Sequence, residues 1–307
     1  MHPIKAARLA GPIYYATLRT LGVTAMNRRL RDAGLIVCYH NVVPNDVGAS
    51  GDPGLHIPVE RFARQMRWLA AHYQIVPLRE LVGRVSSGAP LRSIAAITFD
   101  DAYAGVFDHA LPILETLGLP ATVFVVGEAV GRRDEFWWDR PEIARSLTAE
   151  RREALLTEHR GDGRAIASAY GAAAGRVAPE SHRPADAATL RAAIRRGIDL
   201  GVHSATHRSL PTLTDEELAY EIVASRAMVH EASGMWPEYF AYPYGLWDTR
   251  VRAMVHAAGY RAALTLDGGL NPPSGDPWSL RRVNVPAGVS DAAFEAWTGG
   301  LQARRSA

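Results

Sequence analysis

Short apolar runs alternate with segments of helical periodicity along this chain, and that alternation constrains its fold more than any other feature. Residues 35–39 form an uninterrupted apolar run, and residues 94–98 and 121–126 are similar. Such runs are typical of strands that are covered on both faces, as in a parallel sheet. Apolar residues recur at helical spacing across residues 59–70, between the first two runs. Strands that alternate with helices in this way predict a parallel α/β sheet or barrel.

The alternation is interrupted once and then resumes. Residues 132–186 are rich in Ala, Arg and Glu and contain no strand-like run. They have too few large apolar side chains for a core of their own, so we interpret them as a helical insertion on one face of the domain. The other predicted strands are residues 198–202, 239–242, 262–266 and 280–285, and the other predicted helices are residues 106–117, 214–232 and 248–258.

Composition excludes several classes of protein. Hydrophobic residues make up 48% of the chain and charged residues 21%, which is typical of a folded protein and not of a disordered one. A net charge of +2 over 307 residues is too small to indicate a nucleic-acid binder, so no nucleic-acid partner is expected. The single cysteine, Cys38, excludes an intramolecular disulfide and any cysteine-clustered metal site.

The N-terminal residues 1–34 carry only weak targeting signals. Pro12 and Arg19 interrupt the apolar stretch of residues 9–23. The stretch therefore fits neither a secretory signal nor a membrane span, which needs about 20 apolar residues. Apolar side chains and arginines together predict either a leader helix packed on the domain or a basic amphipathic helix on a membrane surface. We expect a cytoplasmic protein, with peripheral membrane contact as the second alternative.

Polar side chains follow four of the predicted strands, where the active site of a parallel α/β barrel belongs. The segments are Tyr39-His40-Asn41, Thr98-Phe99-Asp100-Asp101, His203-Ser204-Ala205-Thr206-His207 and Tyr242-Pro243-Tyr244-Gly245. Two adjacent carboxylates, Asp100 and Asp101, would repel each other unless a cation lies beside them, although a surface turn or a helix cap is the plainer alternative.

His203 and His207 have the spacing of residues that bind one metal ion, or of loop histidines bonded to the backbone. No glutamate lies between them, so they do not form a metalloprotease signature. One carboxylate with two imidazoles leaves metal positions open for water and substrate. With a second aspartate free of the metal, this is the minimum set for hydrolysis by a metal-activated water.

Two of these segments, Thr98-Phe99-Asp100-Asp101 and His203-Ser204-Ala205-Thr206-His207, resemble the first two motifs of the polysaccharide deacetylases with a NodB-homology domain. Tyr242-Pro243-Tyr244-Gly245 resembles the third motif. The resemblance covers roughly residues 35–290. It implies a distorted (β/α) barrel of about seven parallel strands over those residues, with the helical insertion at 132–186 and a tail at 291–307.

The sequence departs from the family pattern at two positions. Many members have an arginine two residues before the proline of the third motif, where it pairs with the catalytic aspartate; here the residue is Ala241. The last strand usually ends in Leu-x-His, but residues 281–285 contain no histidine. The chain is similar to the branch that includes the poly-N-acetylglucosamine deacetylases, in which an N-terminal Tyr-His segment supplies that histidine. His40 matches it, with a core-edge histidine bonded to the backbone as the alternative.

The resemblance implies a metal-dependent hydrolase that removes N-acetyl groups from a sugar of a polysaccharide, such as an exopolysaccharide, or of a glycan precursor. Asp101, His203 and His207 would bind a divalent metal ion, which we expect to be zinc. Asp100 would act as general base, and His40, as imidazolium, would protonate the departing amine.

Aromatic side chains are candidates for stacking on sugar rings, and Tyr244, Trp138 and Trp247 are predicted to bind substrate in this way. A backbone N–H near Tyr244 would complete an oxyanion hole. For Trp138 and its neighbour Trp137 the alternative is that they anchor the insertion on the barrel. A non-catalytic carbohydrate-binding relative, or an amidase acting on a non-sugar amide, also stays open as a function. We interpret the histidines outside the motifs as structural or solvated.

Overall fold

A curved parallel sheet forms the centre of the computed structural model, which describes residues 13–46, 51–171 and 177–301. The strands are β1 (Leu35–Tyr39), β2 (Asn41–Val43), β3 (His56–Pro58), β4 (Gln74–Ile75), β5 (Ile94–Phe99), β6 (Ala121–Val125), β7 (Asp199–Val202), β8 (Tyr239–Ala241), β9 (Ala262–Leu264) and β10 (Val283–Asn284). Their order in the sheet is β10-β1-β5-β6-β7-β8-β9, with β4 beside β5. Strands β2 and β3 form a separate parallel pair.

The sheet closes on itself through the segment before β10. Leu280 in that segment forms a parallel bridge with Leu264 of β9, and Val283, the first residue of β10, pairs with Val37 of β1. Strands β1, β5 and β6 are buried at every residue, because the barrel interior covers one face and the helices cover the other. The distorted (β/α) barrel of seven parallel strands is therefore confirmed.

Helices surround the sheet. They are α1 (Val23–Leu30), α2 (Val59–His72), α3 (Leu78–Ser87), α4 (Leu111–Leu117), α5 (Pro141–Ala144), α6 (Ala149–Glu158), α7 (Gly163–Ala169), α8 (Ala187–Arg195), α9 (Asp215–Ala219), α10 (Ser225–Ser233), α11 (Thr249–Ala257) and α12 (Asp291–Thr298). Residues 13–20 are also helical. None of the helices in the described ranges combines the length and the apolar character that crossing a membrane requires.

Two of the predicted helices contain a π-helical turn. Val106–Ala110 precedes α4, and Tyr220–Ala224 joins α9 to α10. Each of these turns inserts an extra residue and so changes the direction in which its side chains point. Within 132–186, the described residues form helices α5 to α7 and short turns, and none of them belongs to a strand of the sheet.

Candidate active site

Residues of the predicted motifs meet at the carboxyl end of the sheet, and several adopt left-handed backbone conformations there. The φ angle is +70° at Asp101, +64° at Ser204, +63° at His207 and +58° at Tyr244. Each such conformation at a residue other than glycine costs on the order of 1–3 kcal/mol. These sharp turns direct side chains from three strand ends towards one point, so the local strain accompanies the assembly of a site.

Asp101, His203 and His207 form a buried group whose potential ligand atoms all lie within 4.8 Å of one another. The two histidine Nε2 atoms are 3.1 Å apart, and Asp101 Oδ1 lies 3.3 Å from that of His207 and 3.7 Å from that of His203. The structure thus brings together the three residues that the sequence analysis assigned to a metal ion.

The hydrogen bonds around this group leave its inner atoms available to a cation. Nδ1 of His203 donates to the carbonyl oxygen of Ala241 at 2.8 Å, which directs the lone pair of Nε2 at the site. Asp101 Oδ1 is buried without a hydrogen-bond partner. Burial raises the pKa of Asp101 well above its usual value, and the carboxylates of Asp100 and Asp139 raise it further.

The pKa values of the two imidazoles shift in the opposite direction to that of Asp101. Burial lowers the pKa of both rings, and the neighbouring His203 lowers that of His207 further. Two neutral imidazoles and one carboxylate that lacks a counter-charge are the donor set that a divalent ion such as zinc requires. The residues therefore fit a divalent metal ion.

Asp100 forms a buried ion pair with Arg282, a residue that the sequence analysis did not identify. The guanidinium donates two hydrogen bonds to the carboxylate, at 2.7 Å and 2.8 Å, and both side chains are almost completely buried. Nε of Arg282 donates to the carbonyl oxygen of Thr265, which fixes the plane of the guanidinium. Burial by itself would raise the pKa of Asp100, but Arg282 and His203 outweigh it and hold that pKa well below its usual range.

Arg282, in the last strand segment, provides the guanidinium that Ala241 in the third motif cannot provide. It lies directly before β10, and Leu280 and Val283 on either side of the arginine pair are also buried. The available signal was an arginine inside the apolar strand predicted at residues 280–285, because a buried arginine needs a carboxylate partner. Arg281, its neighbour, is exposed.

His40 lies on the Asp100 side of the site and is half-buried. One ring nitrogen, the Cys38 thiol and an Asp100 oxygen lie within 4.8 Å of one another, and the thiol donates to Asp100 at 3.4 Å. Because Arg282 occupies both oxygens of Asp100, this group fits a second metal ion poorly. Burial lowers the pKa of His40 to about 4, although Asp100 opposes the shift. This shift favours the neutral ring near pH 7, so His40 would have to gain a proton before it could act as general acid, and that role stays a prediction.

The aromatic residues divide into buried and accessible ones. Trp138 is only 2% exposed, stacks on Phe136 and lies with its ring centroid 4.7 Å from that of His207. It has no open face for a sugar, so its assignment to substrate stacking is corrected to anchoring of the insertion. Tyr244 is half-buried and lies edge-on to His207, at 4.4 Å between ring centroids. Trp247 is half-buried and stacks on Tyr242.

A buried polar network ties the insertion to the barrel beside the site. Asp139 accepts hydrogen bonds from His56 Nε2 at 2.8 Å and from the Tyr103 hydroxyl at 2.6 Å. Trp138 Nε1 donates to the same hydroxyl at 2.8 Å. The His182 ring lies 4.3 Å from that of His56, so these two histidines are part of the core.

Comparison with known proteins agrees with this geometry. The family profile described as polysaccharide deacetylase matches residues 88–263, more than half of the chain. The chain belongs to the polysaccharide deacetylase family. The matched residues include Asp100 and the group of Asp101, His203 and His207, whereas His40 and Arg282 lie outside them. The family acts on N-acetylated polysaccharides, and the resemblance drawn from the motifs is confirmed.

Two individual relatives match this chain at low sequence identity. Bacillus subtilis YxkH, which is named among the polysaccharide deacetylases, is 22% identical over 264 residues, covering 85% of this chain and 75% of YxkH. The poly-beta-1,6-N-acetyl-D-glucosamine N-deacetylase of Staphylococcus epidermidis is 28% identical over 119 residues, 34% of this chain and 41% of that protein.

Two solved structures share the fold. Streptococcus pyogenes deacetylase PplD superposes with a TM-score of 0.62 at 16% identity, covering 88% of this chain and 99% of PplD. IcaB from Ammonifex degensii gives 0.62 at 20% identity, covering 88% of this chain and 98% of IcaB.

Proposed function

We propose that this protein removes the N-acetyl group from an amino sugar of a polysaccharide or glycan precursor, and that the reaction depends on a divalent metal ion, zinc by its donor set. The observation that carries this proposal is the buried group of Asp101, His203 and His207 beside the Asp100–Arg282 pair. Asp101, His203 and His207 would hold the ion. When bound there, it would supply Lewis acidity, which polarises an amide carbonyl and acidifies water.

Asp100 is the proton acceptor in this proposal. Arg282 keeps its carboxylate ionised well into the acid range and prevents it from rotating. Oδ1 of Asp100 retains a further lone pair for the proton of the attacking water, whereas Oδ2 accepts from both Arg282 and the Cys38 thiol. A carboxylate with so low a pKa holds a proton weakly, so the proton must move on to another group.

His40 is the group that would receive it. Its ring nitrogen lies within 4.8 Å of Asp100, and the neutral ring can accept a proton and then donate it to the departing nitrogen. The general acid therefore acquires its proton during the reaction. Expulsion of the amide nitrogen without protonation would be prohibitively slow.

Acetate release from N-acetylglucosamine oligomers, with and without a chelator, tests the function, and a non-sugar acetamide serves as the second substrate. We expect a chelator to abolish release and added Zn²⁺ to restore it. Asp100→Asn should bind zinc like the wild type and lose about 10²–10⁴-fold in rate. Asp108→Asn alters an exposed aspartate and is the matched control.

Full activity of Asp100→Asn, or release that a chelator does not affect, would contradict the mechanism. Release from the non-sugar acetamide alone would support an amidase in place of a polysaccharide deacetylase.

We also propose that the protein lies in the cytoplasm and contacts an anionic membrane surface through residues 1–34. Residues 1–31 contain six Lys or Arg and no Asp or Glu, whereas the whole chain carries only +2. Tyr15 packs against Trp297. Apolar side chains on this segment that are more than half exposed are Ile13, Tyr14, Leu21, Met26 and Leu30. Basic charge combined with exposed apolar side chains is typical of helices that lie on anionic lipid.

A further inference from the structure

The loop between the two metal-site histidines is held from several sides. His203 continues strand β7, because its backbone N–H donates to Val125 of β6 at 2.8 Å. At the other end, the backbone N–H of His207 donates to the Ser204 hydroxyl at 2.9 Å. Ser204 and His207 are both left-handed, so the loop adopts a conformation that it would not keep by itself.

Glu221 provides a buried side-chain anchor for the middle of this loop. Its carboxylate accepts hydrogen bonds from the backbone N–H groups of Ala205 at 3.0 Å and Thr206 at 2.9 Å. The Thr206 hydroxyl donates to the other carboxylate oxygen. The Glu221 side chain comes from the π-helical turn Tyr220–Ala224 and is only 2% exposed. An uninterrupted α-helix would direct this position differently, and π-helical turns often occur at functional sites.

We infer that Glu221 is a positioning residue that sets the place of His207 relative to His203 and thereby the affinity of the site for its metal ion. This inference rests on the proposed metal dependence. His203 is fixed independently, by strand β7 and by its bond to Ala241. Loss of the Glu221 carboxylate would remove three hydrogen bonds from the loop between the histidines and leave the backbone N–H of Thr206 without its partner, while that of Ala205 would keep its bond to the Glu221 backbone carbonyl oxygen at 3.1 Å. The loop would then relax, and the displacement would fall on His207.

Two substitutions of Glu221 distinguish a role through its hydrogen bonds to Ala205 and Thr206 from a role through its charge alone. A glutamine at position 221 has one oxygen that can accept from both N–H groups, and its amide nitrogen can donate to the Thr206 hydroxyl. Glu221→Gln thus preserves the side-chain hydrogen bonds and removes the charge, whereas Glu221→Ala removes both and leaves only the backbone bond to Ala205. Glu216→Ala is the matched control, since Glu216 is exposed on the preceding helix α9.

The test is a titration of full-length protein, stripped of metal, with Zn²⁺ in competition with a chromophoric chelator. Removal of a group that orients a metal ligand typically weakens binding about 10- to 100-fold, and we expect that loss for Glu221→Ala. Glu221→Gln should stay close to the wild type, and Glu216→Ala should match it. Urea unfolding of the metal-free proteins, measured in parallel, separates metal affinity from overall stability.

Wild-type affinity in a folded Glu221→Ala protein would overturn the inference, and so would a Glu221→Gln protein that binds as weakly as Glu221→Ala. If Glu221→Ala does not fold, Thr206→Val replaces it as the test. Loss of one hydrogen bond should weaken binding about two- to tenfold, and no change would refute the role. A wild type that binds no Zn²⁺ would refute the metal site itself, whereas a metal-dependent enzyme with unaltered Glu221→Ala affinity would refute only this inference.

Discussion

Replacement of Arg282 by methionine tests how the buried ion pair maintains the charge on Asp100. The substitution keeps an apolar stem but removes two charge-assisted hydrogen bonds to Asp100, each worth about 1.5–3 kcal/mol. Asp100 would then remain in a buried position without a cation. Breaking a buried pair in this way typically costs about 3–5 kcal/mol, and we expect that loss in the free energy of unfolding near pH 7.

The pH dependence gives the sign of the effect. In the wild type the folded-state pKa of Asp100 lies below its unfolded value, so its stabilisation is complete above the unfolded pKa and disappears only as the pH falls through the folded one. In Arg282→Met, burial and the neighbouring Asp101 should raise the pKa of Asp100 above its unfolded value. The unpaired charge of Asp100 then lowers the free energy of unfolding of the variant at neutral pH, and protonation of Asp100 in acid removes this loss. The stability difference between the two proteins should therefore narrow as the pH decreases.

Chemical unfolding of the metal-free proteins between pH 4 and pH 8 measures this difference, and the pH profile of acetate release gives a second readout. The acid limb of the Arg282→Met profile should move to higher pH, because Asp100 must be ionised to accept a proton. Arg281→Met is the control, as Arg281 is the exposed neighbour on the same segment. Equal stability of the two variants at pH 7, or an unshifted acid limb, would refute the reasoning.

Two further predictions concern His40 and the N-terminal segment. His40→Ala should reduce acetate release by about 10²–10⁴-fold at saturating Zn²⁺ without weakening zinc binding. The control, His256→Ala, changes an exposed histidine and should leave the rate unchanged. An unaltered rate of His40→Ala would exclude the role of His40 as general acid. The full-length protein should sediment with phosphatidylglycerol vesicles but not with phosphatidylcholine vesicles, and Leu21→Glu with Leu30→Glu should abolish this binding. The control, Val177→Glu, changes another exposed apolar side chain and should not affect vesicle binding. Equal sedimentation of the wild type, the double variant and the control would contradict a lipid contact through residues 1–34.

The barrel and the metal group could be predicted because both leave local signatures. Fully buried parallel strands require unbroken apolar runs, and the run at residues 35–39 coincides with β1. Parallel strands carry their functional residues at the same end, which pointed to both aspartates and both histidines, and the resemblance to the polysaccharide deacetylases assigned Asp101, His203 and His207 to the metal ion. The short strands β3 and β4, of three and two residues, were missed because they are too short to show a period.

The π-helical turns were also missed. The predicted helix 214–232 has the periodicity of one continuous helix, and nothing in its pattern distinguishes Glu221 from the other acidic residues of that segment. Only the contact between this turn and the histidine loop gives the carboxylate its role.

The sequence by itself therefore determined the fold class through its periodicity, and through the resemblance of its motifs to a known family it indicated the donor atoms that could hold a metal ion. The tertiary structure decided the environment of those atoms. Arg282 and Asp100 are 182 residues apart and meet only because β10 and β5 both neighbour β1. The burial of Trp138 and the lowered pKa of His40 likewise depend on how the insertion and the strand ends pack. Desolvation and contacts between distant segments are properties of the folded chain, and no local pattern records them.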